Sequence, residues 1–399
     1  MDFQPYPLTL GNDITSNAVN TLQEKLRVPG KYRDTFEKIH IFLGLDGYVD
    51  SLYSLLSKRA SLVDYEVMDS MREFSQRAFD TAGSSCNIER VLKKRLGGGF
   101  GPNTARAVGT LGAQVDLVGA LGNPSEVFMD SIPNRVTMHS LGDPGETCAL
   151  EFDDGKIMLT DFGNINHITW DLILERVGRD DFIGMLEKTD AIGQGHWALV
   201  PHMNDIWRSW VHEILPNLSR GDRLFFVDPA DMTKRPGSHV REMIDLLGEI
   251  GETPGMKTII SMNDKETLQM CNYYQELPAI SEFRDYYTIG DRMINLLPVD
   301  IIVIHHPHFA ILNDGDRGIH VKEGFTSKPK FTTAAGDHFN GGLIIALASK
   351  SMTPGESLVF ANACTAHFVR TGNSPNLQDA SRFIMHYKEY IENDIDTIA

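Results

Sequence analysis

A series of short apolar runs, each ending at a glycine or polar residue, most constrains the fold of this chain. Four of these runs follow one another from residue 190 onward, at 190–195, 223–228, 257–262 and 300–305. Their length and composition are typical of strands buried on both faces, and most are separated by segments of helical spacing. Strands that alternate with helices predict βαβ units and a mainly parallel sheet covered on both sides. Ligands bind such sheets at the carboxyl ends of the strands, so candidate site residues are expected there.

The first half of the chain carries the same signals less regularly. The run from His40 to Leu45 ends at Asp46 and predicts a buried first strand. Leucine, methionine and phenylalanine residues then recur at helical spacing over 51–82, which predicts a helical lid, whereas 86–94 is strand-like. The elements expected beyond Asn103 are a helix at 103–112, a strand at 115–121, a strand pair near 147–160 and helical segments within 169–188.

These elements predict one large α/β domain. Residues 1–37 form a lead-in, and residues 38–399 form the domain, with a lid or insert at roughly 51–96 and possible lid strands near 147–160. The chain has no repeat of fixed period and no low-complexity tract, which excludes solenoid architectures.

Charge and cysteine content limit the class of partner. A formal net charge of −17 disfavours nucleic acid, because nucleic-acid binders neutralise phosphates with clustered lysine and arginine. The four cysteines are scattered without a paired motif, which favours a reducing compartment. Residues 1–20 do not resemble a basic leader with an apolar run, and no stretch reaches the length of a membrane span. We therefore expect a cytoplasmic protein that binds small molecules and neither nucleic acid nor membrane.

The segment 332–342, Thr-Thr-Ala-Ala-Gly-Asp-His-Phe-Asn-Gly-Gly, is the strongest chemical signal. Apolar residues after it recur at helical spacing, so a helix is expected to begin near Gly336 and Asp337. A helix start offers unpaired N–H groups to a phosphate, and small residues permit close approach. Asp337 could then accept a hydroxyl proton while the amides of Ala335 to Asp337 hold phosphoryl oxygens. The alternative is an ordinary capping aspartate after a small-residue turn.

Two weaker patterns accompany this segment. Glycines at 97, 98, 99 and 101 precede Asn103, which opens a helix and could contact a polyol; the alternative is a plain glycine turn. The pattern is neither a Walker A loop nor a dinucleotide fingerprint. Asn263 and Glu266 follow a strand and share one helical face, so they could order water bound to Mg²⁺ near a triphosphate. The same spacing is also that of a helix capping box.

The order of these segments resembles the ribokinase-like (PfkB) carbohydrate kinase family. The resemblance covers roughly residues 38–375 and starts from Gly44-Leu45-Asp46-Gly47-Tyr48-Val49-Asp50. It implies a three-layer α/β/α sandwich with a lid, and a kinase that transfers phosphoryl from ATP, with Mg²⁺, to a hydroxyl of a sugar-like molecule. Because the lids of this family often pair subunits, a homodimer is also expected.

The resemblance implies roles for individual residues. Asp337 is the base, and Gly336 and Ala335 belong to the anion hole. The residues expected to bind the sugar are Asp46, Asp50, Gly98, Gly99 and Asn103, and those expected to bind the nucleotide are Asn263, Glu266, His306, Thr333, Ala334 and Asn362. Asn263 and Glu266 would also hold Mg²⁺ through water. Asp228 with Arg235 is weakly similar to a family loop at a strand end.

Departures from the family pattern keep three alternatives open. Phe331 and Ala334 stand where the family has aspartate and glycine, and histidines occupy 305, 306 and 308 in place of a glycine turn. The alternatives are an ADP-dependent sugar kinase, a nucleoside kinase, and a member that binds without turnover. Pro307 and strand alternation separate the three histidines, which favours a polar loop beside the nucleotide over a metal cluster. The aromatic stretch 196–210 is expected to pack a helix.

Overall fold

The computed structural model describes residues 13–27, 29–123, 125–219, 221–316 and 318–398. The first twelve residues of the predicted lead-in lie outside this part of the chain. The strands are β1 (His40–Leu45), β2 (Tyr48–Arg59), β3 (Tyr65–Val67), β4 (Arg90–Gly98), β5 (Gln114–Gly119), β6 (Val136–Ser140), β7 (Gly145–Phe152), β8 (Gly155–Asp161), β9 (Ala191–Gln194), β10 (Arg223–Val227), β11 (Met256–Asn263), β12 (Ile301–His306), β13 (Phe309–Asn313) and β14 (Gly318–Lys322). The helices are α1 (Thr15–Leu26), α2 (Pro29–Phe36), α3 (Met71–Asp80), α4 (Phe100–Leu111), α5 (Glu126–Ser131), α6 (Trp170–Val177), α7 (Arg179–Glu187), α8 (Met203–Ser209), α9 (Gly237–Gly251), α10 (Asp264–Tyr273), α11 (Phe283–Leu296), α12 (Ala335–Ala348), α13 (Pro354–Thr371), α14 (Leu377–Met385) and α15 (Tyr387–Glu392).

The main sheet has nine strands in the order β14-β13-β12-β11-β10-β9-β1-β5-β6. Every pair from β12 to β6 is parallel, and the edge hairpin of β13 and β14 is antiparallel. The predicted first strand and the four later ones are confirmed, and so is the mainly parallel sheet. The carboxyl ends of β1, β9, β10 and β11 therefore meet at one edge, where the candidate residues lie.

Helices cover both faces of this sheet because successive side chains of a buried strand point in opposite directions. In β1, Ile41 and Leu43 join the hydrophobic cluster that contains α1, α4, α12, α13 and α14. Phe42, between them, joins the opposite cluster, which contains α6 to α9 and α11. This gives the predicted three layers. No helix among the described residues combines the length and apolar character needed to span a bilayer.

A second, smaller sheet stands beside the main one. Its order is β3-β2-β7-β8, with β4 on β2, and a small apolar cluster of Leu55, Met68 and Leu150 lies on it. The prediction of helix throughout 51–82 was wrong, because β2 runs from Tyr48 to Arg59 and only Met71–Asp80 is helical. The leucines of β2 have helical spacing, but hydrogen bonds to β4 and β7 outweigh that local preference. The predicted strand pair is present as β7 and β8.

Candidate active site

A cleft of about 880 Å³ lies between the second sheet and the start of α12. One wall carries Asp50 and Gly97, and the other carries Phe331 to Ala334. Asn103 and Arg106 of α4 also line it. The cleft thus brings together three sequence motifs that span more than 200 positions of the chain.

The first turn of α12 presents free backbone donors. Ala334 precedes the helix in the left-handed region, with φ 69°, and directs the chain into it. The N–H of Ala335 already donates to the carbonyl of Thr332 at 3.2 Å, which differs from the prediction that this amide holds phosphate. Among the described residues, the N–H groups of Gly336 and Asp337 have no protein acceptor. These two amides are available to an anion at a helix start.

Asp337 lies within this first turn, with 8% of its surface exposed. Its Oδ2 accepts a 2.8 Å hydrogen bond from Nδ2 of Asn103, which holds the carboxyl group in one orientation. Burial raises the pKa of Asp337 to about 7; His196 opposes this rise and Asp228 adds to it. A carboxylate with such a pKa can both accept and release a proton near neutrality.

Asp46 is fully buried and holds the start of α4. It accepts hydrogen bonds from the amides of Phe100 and Gly101, both at 2.8 Å, and lies 2.7 Å from Nδ1 of His196. Gly99 precedes the helix at φ 99°, and a Cβ there would lie 2.7 Å from the Asp46 carboxylate. Because these contacts enclose Asp46, the prediction that it binds sugar directly needs correction: its contacts position α4.

Asp50 of β2 faces the cleft beside Gly98. Burial raises its pKa, and a hydrogen bond with Thr147 and the charges of Lys156 and His196 lower it. A Cβ on Gly98 would lie 2.5 Å from Oδ2 of Asp50, so this glycine gives the carboxylate its position. The structure thus brings Asp50, Gly98, Asn103 and Asp337 to one cavity or its border.

Asn263 and Glu266 form the capping box that was the alternative interpretation. Oδ1 of Asn263 accepts from the amide of Glu266, and Oε2 of Glu266 accepts from the amide of Asn263. Burial, followed by the charge of Asp228, raises the pKa of Glu266 well above its usual value. The two functions are compatible, since each carboxylate oxygen has a second lone pair.

The donor set fits Mg²⁺ held through water and nucleotide phosphates. Across the described ranges, no three carboxylate, imidazole or thiolate groups converge into a metal cage. Mg²⁺ commonly keeps several waters and binds through few carboxylates plus substrate phosphates. Asn263 ends β11 and Glu266 lies in the first turn of α10, and these two residues would orient that water.

The three histidines at the end of β12 and in the turn after it, His305, His306 and His308, pack on aromatic rings. His305 stacks on Phe339 at 4.8 Å, and His306 stacks on Phe309 at 4.8 Å. Burial lowers the pKa of both His305 and His306 to about 4, so both are neutral near pH 7. His305 and His306 belong to β12 rather than to the predicted loop, and the packing of both rings on phenylalanines argues against a metal cluster.

The remaining residues that were expected to bind the nucleotide lie in two different environments. Thr333 is exposed beside Ala334 in the cleft wall, and Phe331 packs against Gly372, the residue that ends α13. Asn362 is fully buried inside α13 and donates to the hydroxyl of Tyr387 at 3.0 Å. Asn362 therefore does not line the cleft, which is contrary to the prediction that it contacts the nucleotide.

Sequence reasoning missed His196 and Arg106 and gave Asp228 little weight. His196 follows β9, which lies directly beside β1 in the sheet, and Asp228 follows β10. Nδ2 of Asn340 donates to Asp228 at 2.8 Å, and Arg106 donates to Asn103 at 3.2 Å. The one available signal in the sequence was that His196 directly follows the predicted strand 190–195. Which side chains surround His196 could not be predicted, because that depends on the order of the strands in the sheet.

Comparisons with known proteins agree with this architecture. A sequence model of the family described as prokaryotic ketohexokinase matches residues 12–387. A ketohexokinase from Haloferax volcanii is 31% identical over 355 residues, which cover 88% of this chain and 92% of that protein. The ribokinase of Arabidopsis thaliana in complex with ribose and ATP superposes with a TM-score of 0.61 at 14% identity, covering 87% of this chain and 98% of that one. The ribokinase of Thermotoga maritima gives a TM-score of 0.58 at 15% identity, covering 89% and 99%. At these identities the two ribokinases establish the fold alone.

Proposed function

This chain belongs to the prokaryotic ketohexokinase family within the ribokinase-like sugar kinases, and from that premise we propose that it phosphorylates a ketohexose with ATP. The resemblance stated from the sequence motifs is confirmed at the level of family, fold and sugar kinase activity. The nature of the sugar, the donor and the roles of individual residues are the proposal. The observation that carries it is a buried carboxylate, Asp337, held by Asn103 beside two free amides at a helix start.

In the proposed reaction, Asp337 accepts the proton of the attacking sugar hydroxyl. Asn103 binds Oδ2 of Asp337, and within the described part of the chain no hydrogen bond from another residue reaches Oδ1, which is the atom that would take the proton. The hydroxyl oxygen forms a bond to the terminal phosphorus of ATP as the bond to the leaving oxygen of ADP breaks. The amides of Gly336 and Asp337 stabilise the charge on the transferring group. Mg²⁺, when bound with the nucleotide, neutralises phosphate charge.

Basic residues of the cleft support a polyphosphate donor. The protein as a whole carries a formal charge of −17, which repels a nucleotide. The cleft nevertheless gathers the basic side chains of Lys93, Lys94, Arg106, Lys156 and Lys330. Four acidic residues, Asp50, Asp69, Glu151 and Asp153, also line the cleft, so these five cations leave it with a formal excess of one positive charge, and it should repel phosphate less than the protein as a whole.

The departures at Phe331 and Ala334 are compatible with turnover. Ala334 adopts the left-handed conformation, φ 69°, that a glycine would take without strain. The strain of a non-glycine residue there is about 1–2 kcal/mol, which an α helix with a buried face can offset. Phe331 covers Gly372 at the edge of the cleft and leaves the amides of Gly336 and Asp337 free. These features argue against a member that only binds.

A panel of donors and acceptors tests the proposal. We expect a ketohexose such as fructose with ATP to give the highest kcat/KM, exceeding aldohexoses, ribose and nucleosides by roughly 100-fold. Product formation should be followed by mass spectrometry with ATP, ADP and GTP. A preference for ADP or for a nucleoside would assign the chain to the corresponding alternative. Ligand-induced thermal stabilisation with no phosphorylated product would reject catalysis.

Replacing Gly98 by Ala should weaken sugar binding without unfolding the protein. The new Cβ would lie 2.5 Å from Oδ2 and 3.1 Å from Cγ of Asp50, so this flexible carboxylate must move. Gly98 is not among the residues with positive φ, so the alanine is not strained by its backbone. We expect KM for the sugar to rise by roughly tenfold while Tm changes little.

Gly184→Ala is the matched control for this substitution. Gly184 lies in α7, and a Cβ there meets nothing within 4 Å. Its kinetic constants should equal those of the parent. An unchanged KM in Gly98→Ala would remove Asp50 from the proposed sugar contacts.

A further inference from the structure

His196 is a histidine held among carboxylates at the edge of the main sheet. It follows β9 and Gly195, adopts φ 52°, and leaves 24% of its side chain exposed. Its Nδ1 lies 2.7 Å from Oδ2 of Asp46. The amide of Phe100 lies 2.8 Å from the same carboxylate oxygen and 3.4 Å from Nδ1, so its hydrogen bond belongs to Asp46. Nδ1 of His196 therefore carries a proton and donates it to Asp46.

The electrostatic surroundings of His196 are strongly acidic. Asp46 follows β1, Asp228 follows β10, and Asp337 lies in the first turn of α12; the charges of all three favour the imidazolium. In turn, the charge of His196 opposes the rise that burial causes in the pKa values of Asp50 on β2 and Glu266 on α10. Arg106 of α4 is a second cation that interacts with Asp337, and burial lowers its own pKa. Negative groups thus outnumber positive ones around the proposed base.

Protonated His196 is a cation that offsets part of this negative charge. Burial alone would lower its pKa, but the charge and hydrogen bond of Asp46, followed by the charges of Asp337 and Asp228, raise it to about 10. An imidazolium is therefore present across the physiological pH range. A fixed positive charge close to several buried carboxylates stabilises their ionised forms.

We propose that His196 is a positioning residue of the reaction: its imidazolium holds Asp46 at the start of α4 and supplies positive charge that favours the ionised form of Asp337. The inference rests on the proposed role of Asp337 as the base. It extends that role by identifying the cation that allows Asp337 to act as a base although four other acidic side chains surround the site. His196 acts on the reaction through Asp46 and Asp337.

The sign of the expected pH effect follows from the charge of His196. Asp337 works as a base only when ionised, so activity should fall as pH decreases through its pKa of about 7. His196 lowers that pKa, because a nearby cation favours the carboxylate. Removal of the cation should raise the pKa of Asp337 further, and the acid limb of the rate profile should move to higher pH.

His196→Asn is the variant that tests this inference. Asparagine tolerates left-handed backbone and can still donate to Asp46, but it carries no charge. We expect the acid limb of kcat to move up by about one pH unit or more. The loss at pH 6.5 should exceed the loss at pH 9 by roughly tenfold. A purely structural role would lower kcat equally at both pH values, and an unmoved acid limb would overturn the proposal.

His139→Asn provides the matched control. His139 lies on the edge strand β6, 3.4 Å from Asp116, which also pairs with Lys188. This histidine pairs with an aspartate that the site does not use. Its substitution should leave the acid limb where it is in the parent.

Nuclear magnetic resonance of histidine nitrogens tests the protonation without relying on activity. The chain contains 14 histidines, and one imidazolium should persist above pH 8.5 in the parent and be missing from His196→Asn. Absence of that signal from the folded parent would overturn the inference. An unmoved acid limb with an inactive Asp337→Asn would reject the role of His196 alone. An active Asp337→Asn would reject the base assignment, and with it the catalytic part of this inference.

Discussion

Asp337→Asn is expected to lower kcat by about 10³-fold while KM for ATP and the dissociation constants of both substrates stay within a few-fold. The amide has the shape of the carboxylate and can accept the hydrogen bond from Nδ2 of Asn103, which is 2.8 Å long in the parent. It cannot take a proton from the sugar hydroxyl. Single-turnover kinetics and calorimetric titration of each substrate would separate loss of chemistry from loss of binding.

An exposed aspartate supplies the comparison for this variant. Asp222 pairs with Lys350 at the surface, with 82% of the Asp222 side chain exposed. Asp222→Asn should have the parent's kcat. If Asp337→Asn turned over within a few-fold of the parent, Asp337 would not be the base, although membership of the sugar kinase family would stand.

Asp46→Ala should lower the free energy of unfolding by about 3–5 kcal/mol, the cost typical of removing one partner from a buried ion pair. The substitution leaves His196 without its anion, and it deprives the amides of Phe100 and Gly101 of their acceptor. These amides belong to α4, which carries Asn103. We therefore also expect kcat to fall, because the orientation of Asp337 depends on that helix. Urea denaturation followed by circular dichroism would measure the change.

Asp222→Ala is the control for stability, since its ion pair is exposed and surface pairs contribute little. Asp46→Asn should lie between the parent and Asp46→Ala, because the amide can still accept one hydrogen bond. A stability of Asp46→Ala equal to that of the parent would mean that the contacts of Asp46 do not hold α4.

The expectations about domain boundaries, oligomeric state and cellular location stay predictions. The boundaries of the lead-in and of the lid are predictions about domains, even though β2, β3, β4, β7 and β8 form a separate sheet. The homodimer through that sheet and the cytoplasmic location are likewise open to experiment. Light scattering of the purified protein would measure the oligomeric state directly.

Local patterns in the amino-acid sequence determined much of this protein. The apolar runs that end at Asp46, Gly195 and Asp228 specify buried parallel strands, because strands covered on both faces need continuous apolar residues. The small residues before Asp337 specify a helix start that is open to an anion. The order of these signals along the chain was enough to identify the family.

Only the tertiary structure decided which distant residues these segments contact. Residues 51–59 became a strand because β4 and β7 supply hydrogen-bond partners on both sides. His196 meets Asp46 across 150 positions of sequence, and Asn103 meets Asp337 across 234. The charge state of a buried group depends on such neighbours, since burial and nearby charges shift a pKa far more than local sequence does. The strand order of the sheet therefore made His196 a cation and Asp337 a carboxylate with a pKa near neutrality.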